Sequence, residues 1–490
     1  MDKIYAVLPE KIGTISPLIY GVFSEHIGGV IYDGIYVGED AKVENVHGFR
    51  KFIIDKIKEA GIPLIRWPGG CFAEIYDWRD GIGPKDERPV RINWWTVNDH
   101  RYEPNQVGTD EFMDFCRMCD AEPYFAANIT TTTPLDIRDW IDYCNSPAGT
   151  TSMAKLREKN GHKEPYGVKY WGVGNETWGG GGNMTPESYG LQYRRYAEIM
   201  HNTDPSIELI ASGASGGDYH WTQDLLKTVN HTSFMDGMSF HHYSNGNNED
   251  PVNFNEDDWY TLLGNANRMN ELIERHWGTA LSYQEEKRAG LCVDEWGAWH
   301  RGGSGPSNGF NLFEQQSTVR DAVLSALTLN IFNNQCDKVK LATVAQLINN
   351  LHALFLSRGE NCILTPTYHV FDMYKAHQGG EAVRTIAESS ACPNGLPGIS
   401  VSASVKDGVF TLTAANIDYK EDKVVRLEAL GGKLAGHATV TLLAANDLTS
   451  HNTFEEPEKV KPITQEIVDF DGTLELPHGA ILTLSAKLAD

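Results

Sequence analysis

Leu291-Cys292-Val293-Asp294-Glu295-Trp296-Gly297 is a short apolar run that ends in two carboxylates and a Trp-Gly pair. Tyr170-Trp171-Gly172-Val173-Gly174-Asn175-Glu176 has the same design and places its Glu 119 residues earlier. Runs this short and this apolar suit strands buried on both faces, as in a parallel sheet wrapped by helices. Working outward, similar runs lie at 19–23, 64–67, 124–128, 169–174, 208–212, 237–241, 291–294 and 338–342. Helical spacing of apolar residues falls between most of them, at 49–59, 186–201, 220–228, 265–276 and 315–333. Eight such βα units predict an α/β fold, a (β/α)8 TIM barrel over residues 19–377. The competing arrangement is an open, doubly wound sheet. It calls for a Gly-rich phosphate loop after the first strand, and the sequence has none there.

Beyond Gln378 the pattern changes. Segments 399–405, 409–415, 423–428, 438–443 and 473–476 alternate apolar and polar residues, with Gly, Asp and Asn between them. That spacing predicts a C-terminal antiparallel β-sandwich, jelly-roll-like, over residues 378–490. Residues 1–18 are strand-like and are expected to join it. The charged stretch 450–461, with Pro457, reads as a surface loop.

Composition narrows the function. The 490 residues carry 42 basic and 66 acidic side chains, a net charge of −24, which repels nucleic acid and anionic membranes. No apolar run approaches a membrane span, and no signal-peptide pattern opens the chain, so a cytoplasmic location is expected. Eight sparse cysteines fit reduced thiols better than a disulfide framework. Cys116 and Cys119 have metal-site spacing but lie in a helical stretch with no second pair, which fits packed thiols.

In a barrel the strand ends face the site. Read in order they supply Glu25-His26, Arg66 to Cys71, Asn128, Asn175-Glu176, His241-His242-Tyr243, Asp294-Glu295 and Gln346. Trp67, Trp94, Trp95, Trp178, Trp296 and Trp299 lie close to these ends in sequence. Carboxylates and amides bind sugar hydroxyls, aromatic faces pack on sugar rings, and two carboxyls are the minimum for cutting a glycosidic bond. Each residue also has a plainer reading. Glu25 could pair with an arginine, and Asp77 and Trp78 could pack a loop. His241 and His242 are strand neighbours that point to opposite faces, so one inward histidine is expected rather than a metal pair. The run Gly179–Gly182 lacks a following Lys-Ser/Thr and reads as a flexible rim, not a phosphate loop.

The motifs Arg66-Trp67-Pro68-Gly69-Gly70, Asp80-Gly81-Ile82-Gly83-Pro84, Trp171-Gly172-Val173-Gly174-Asn175-Glu176-Thr177-Trp178-Gly179 and Val293-Asp294-Glu295-Trp296-Gly297 together resemble glycoside hydrolase family 51, the α-L-arabinofuranosidases. The resemblance covers nearly the whole chain. It implies Glu176 as general acid/base and Glu295 as nucleophile. It assigns substrate binding to Glu25, Cys71, Trp95, Asn175, Tyr243 and Gln346, with no metal and no cofactor. It implies retaining release of terminal arabinofuranosyl groups from arabinan, arabinoxylan or their oligosaccharides, by a homo-oligomer that is often a hexamer in this family. The chain departs from many relatives at Cys71, where they carry Asn, and a thiol exchanges hydrogen bonds with a hydroxyl only weakly. The mechanism asks for an ionised Glu295 and a Glu176 with raised pKa. Alternatives are an endo-acting β-1,4-glucanase or xylanase of the same family, a non-catalytic carbohydrate-binding barrel, and a metal-dependent hydrolase using His241 and His242.

Overall fold

The computed structural model describes residues 1–96, 102–229, 234–248, 250–283 and 289–489. Eight strands close into a barrel in chain order: Gly21–Phe23, Leu64–Trp67, Glu122–Ala127, Tyr170–Val173, Glu208–Ser215, Gly237–Ser244, Gly290–Ala298 and Val339–Ala345. Each pairs in parallel with its neighbours, and the last closes on the first through Ala345 opposite Phe23. All eight expected strands are present. The later ones run a few residues further than the apolar runs alone suggested.

The lower barrel interior is plugged by Leu64, Tyr124, Tyr170, Ile210, Cys292 and Leu341, one from each of six strands. The Arg66 guanidinium lies above that plug, 4.5 Å from the Phe23 ring centre and 5.7 Å from that of Tyr124. The barrel is therefore solid below and polar above, and only its upper end is free for chemistry.

Outside, helices pack their apolar stripes on the strands. Lys51–Ala60 buries Ile53, Ile54, Ile57 and Ala60, the helical spacing read from sequence, and stops where Gly61 adopts φ +60°. The expected helix at 265–276 is instead the end of Glu256–Asn267 and most of Met269–Leu281, which meet at Arg268. Apolar periodicity continues across that junction, so it could not mark the break. The segment 315–333 becomes helical only from Val319, because Thr318 and Asp321 form a capping box there. Helix Val319–Asn334 is buried almost all round. It lies between the barrel and the C-terminal sheet, where Asn330 and Asn333 meet Ser400, Ser402 and Thr413 in a buried hydrogen-bonded cluster.

That sheet has nine strands around a second core that includes Ile4, Val383, Val401, Phe410, Leu412, Val425 and Leu484. Strand Asp2–Thr14 lies inside it, between Glu381–Glu388 and Lys423–Leu430. The pairing with Lys423–Leu430 is parallel, a departure from the antiparallel expectation. The two strands come from opposite ends of the chain, so no hairpin dictates their relative direction. The loop 450–461 is irregular as expected but is not purely surface: Asn452 and Val460 are buried, and Asn452 satisfies main-chain groups of Leu364 and Val460. Cys116 and Cys119 are both buried, and all eight cysteines are free thiols. Among the described residues no helix is long and apolar enough to cross a membrane.

Candidate active site

Glu295 is held by three cationic or polar neighbours at the top of the barrel. Arg66 Nη1 donates to Oε1 at 2.9 Å, the Tyr243 hydroxyl donates to Oε2 at 2.7 Å, and His241 Nδ1 lies 3.5 Å from Oε2. Register explains the convergence, because His241 sits directly opposite Glu295 on adjoining strands. Asp294 also faces this network. Its Oδ1 lies 3.1 Å from His241 Nε2, and its Oδ2 accepts from the Tyr124 hydroxyl at 2.8 Å. Consecutive strand residues normally face opposite ways. Here the pairing register shifts between Val293 and Trp296, and such an irregularity re-aims side chains.

Glu176 approaches from the fourth strand. His241 Nδ1 lies 2.8 Å from its Oε1, and the Cys71 thiol donates to its Oε2 at 3.3 Å. Asn175 beside it accepts from Arg66 Nη2 at 2.5 Å. Glu176, His241 and Glu295 each place one polar atom within 4.8 Å of the other two. On the opposite wall Glu25 accepts from the Phe72 amide at 3.0 Å and from Gln346 Nε2 at 3.1 Å. Gly70 permits this close approach, since a Cβ there would lie 2.6 Å from the Glu25 carboxylate. Gly180 does the same for Cys71 and Trp95: its Cβ would fall 2.7 Å from the thiol and 3.7 Å from the indole.

The eight expected site residues are thus gathered at one end of the barrel. Other expectations fail. Trp67 and Trp296 belong to the hydrophobic core, packed on Phe112 and Phe371, and do not line the site. Asn128 ties its own loop to Tyr76 and Thr131. The expectation of a single inward histidine holds: His241 enters the network, and His242 faces away and bonds the Asn265 carbonyl. Sequence reasoning gave no role to Arg66, Asp294, Tyr124 or Glu74. Arg66 stood inside a quoted motif and Asp294 beside Glu295, so both were findable. Glu74 accepts the main-chain amides of Ile129, Thr130 and Asn175 and carried no sequence signal.

Electrostatics correct one expectation. Burial and three surrounding carboxylates act in opposite senses on His241, and the carboxylates win, pushing it up to about 10. Burial alone would raise Glu176, but the hydrogen bond and charge of His241 hold it below the usual carboxylate range. Glu295 is raised by burial and by Glu176, against the pull of His241 and Arg66. These directions reverse the sequence expectation, because the imidazolium lies nearer Glu176 than Glu295. Burial and the Glu295 charge push Glu25 up to about 8, and burial pushes Glu74 up to about 7 against its three amide donors.

A barrel whose upper end gathers two close carboxyls, further hydrogen-bonding groups and an aromatic flank is that of a carboxylate-based glycoside hydrolase. Known proteins narrow this further. The family description "Alpha-L-arabinofuranosidase 1 domain" matches residues 56–261, and "Alpha-L-arabinofuranosidase C-terminal domain" matches residues 294–478. The intracellular exo-alpha-L-arabinofuranosidase of Bacteroides ovatus is 39% identical, over 96% of this chain and 92% of its own length. The crystal structure of the GH51 arabinofuranosidase from Xanthomonas axonopodis pv. citri superposes with TM-score 0.92 at 33% identity, covering 99% of this chain and 100% of that one. The arabinose complex of the Thermotoga maritima α-L-arabinofuranosidase gives 0.87 at 31%, with the same coverage. The chain belongs to glycoside hydrolase family 51, the α-L-arabinofuranosidases.

Proposed function

We propose that the chain is a retaining, exo-acting α-L-arabinofuranosidase that removes terminal arabinofuranosyl groups from arabinan, arabinoxylan and arabino-oligosaccharides. The observation that carries this is the spacing of Glu176 and Glu295, whose nearest polar atoms lie within 4.8 Å around His241. Retention calls for carboxyls about 5–5.5 Å apart, and inversion for about 6.5–9.5 Å, which leaves room for a water. In this reading Glu295 attacks the anomeric carbon and Glu176 protonates the departing oxygen. Water, deprotonated by Glu176, then releases the sugar. Glu25, Cys71, Trp95, Asn175 and Gln346 contact the sugar, and Tyr243 orients Glu295.

The acid step needs the shared proton on Glu176. A neutral His241 accommodates that state, with Nε2–H donated to Asp294 and Nδ1 accepting from the Glu176 hydroxyl. The exo mode and an intracellular location draw on the printed name of the Bacteroides ovatus relative. The homo-oligomer, a hexamer in many relatives, draws on the family resemblance and is checked by light scattering.

Hydrolysis of 4-nitrophenyl α-L-arabinofuranoside, followed by NMR of the first-formed anomer, tests the activity. Release of the α-anomer by the wild type, with Glu295→Ala reduced by on the order of 10⁴-fold or more, is the expected result. First formation of the β-anomer would end the retaining mechanism. Glu176→Ala should lose far more on poor leaving groups than on activated aryl glycosides, since only the former need protonation.

A further inference from the structure

Glu74 touches none of the groups assigned to bond cleavage. It lies in the short 3-10 turn Cys71–Ile75 that follows the second barrel strand, and it is 1% exposed. Its carboxylate accepts three main-chain amides: Asn175 on Oε1 at 2.8 Å, and Ile129 and Thr130 on Oε2 at 2.8 and 2.9 Å. One side chain from the second loop therefore fastens the loops that follow the third and fourth strands. Thr130 extends the link by donating from Oγ1 to the Gly181 carbonyl at 2.6 Å.

The segment so fastened is conformationally unfavourable. Gly174 has φ +86° and Glu176 has φ +42°, a left-handed backbone that an L-residue with a Cβ adopts only when its surroundings impose it. The Asn175 amide held by Glu74 lies between these two residues. The Glu176 carbonyl is fixed on its other side by the amides of Gly179 and Gly181 at 2.8 and 3.1 Å. The left-handed turn lets the Glu176 carboxyl reach His241 and Cys71, while Asn175 reaches Arg66.

We infer that Glu74 is a positioning residue for proton transfer, holding the Asn175-Glu176 main chain in the conformation that aims the Glu176 carboxyl at the leaving oxygen. This rests on the reading of Glu176 as acid/base. The carboxylate suits the task because it presents acceptors on both oxygens. The near-isosteric amide of Glu74→Gln offers one acceptor and turns an NH2 group toward at least one of the amides.

The test compares wild type, Glu74→Gln and Glu176→Ala on two α-L-arabinofuranosides, one with a 4-nitrophenyl and one with a methyl leaving group, alongside thermal unfolding. Displacing an acid by an ångström costs up to about 100-fold in rate. Glu74→Gln should lose roughly 10–100-fold in kcat on the methyl glycoside, and several-fold less on the nitrophenyl glycoside, with KM nearly unchanged and a cooperative unfolding transition that stays well above the assay temperature. Equal losses on both substrates, or none, while Glu176→Ala does show the split, would overturn the positioning role and leave the function intact. If Glu176→Ala shows no split, the reading of Glu176 fails first and takes this inference with it. Should Glu74→Gln not fold, Glu74→Asp is judged by the same ratio.

Discussion

His241 Nδ1 lies 2.8 Å from the Glu176 carboxylate, hydrogen-bond distance for a single proton that either group can carry. Asp294, 3.1 Å from the other ring nitrogen, lets the imidazole hold or yield that proton without losing a hydrogen bond. The basic limb of kcat/KM reports loss of this proton from the pair as a unit. His241→Gln removes the second place where the proton can reside, so the limb should move to lower pH. A pH–rate series on an alkyl arabinofuranoside measures it, and an unmoved limb would mean that Glu176 keeps its proton unaided.

Arg66 is buried and bonds Glu295 and Asn175 at once. A lysine presents one point charge in place of this fork. Arg66→Lys should therefore keep the fold but lower kcat by roughly 10–100-fold through misplacement of both partners. Arg66→Ala strands the buried carboxylates of Glu295 and of Asp294, whose Oδ2 lies 3.7 Å from Arg66 Nε, and should cost about 3–5 kcal/mol of stability. Denaturant unfolding with steady-state kinetics separates the effects; equal stability of wild type and Arg66→Ala would contradict the buried pairing.

Cys71 is half-exposed in the site but is not poised as a nucleophile. Burial, with the charges of Glu176, Glu25 and Glu295, drives its thiol far above the ordinary range. Iodoacetamide at neutral pH should leave activity intact, because the thiolate is the reacting form. Rapid inactivation that an arabinoside protects against would refute this.

Stability should depend on pH through Asp294 and His241. Burial opposes but Arg66 and His241 prevail at Asp294, which falls from 3.8 to about 2. Its folded pKa is depressed, so its contribution is full above 3.8 and is lost as pH falls through about 2; the shift corresponds to about 2 kcal/mol. His241 is raised from 6.5 to about 10, so its contribution is full below 6.5 and is lost as pH rises through about 10. Urea unfolding between pH 2 and 10 checks both arms. Asp294→Asn should flatten the acid arm, and an unchanged acid slope would remove Asp294 from the account.

The barrel was legible because strands covered on both faces must be apolar, and eight such runs survive inspection of the sequence. Glu176 and Glu295 stood out in the sequence because a carboxylate closing an apolar strand is costly to bury, and the structure brings the two together around His241. The break at Arg268 was not, since the apolar stripe passes through it unchanged. Strand alternation was right for His241 and His242, but it would have turned Asp294 away from the network, where the shifted register instead brings it in.

The sequence by itself determined the eight-fold alternation, because burial dictates residue type along each strand, and it carried the motifs in which the resemblance to the family was read. The tertiary structure alone decided which groups lie within hydrogen-bond reach of His241, which tryptophans are core, and that Glu74 fastens the loop of Glu176. Those relations join residues far apart in the chain, set by strand register and by main-chain amides whose direction no side-chain sequence records.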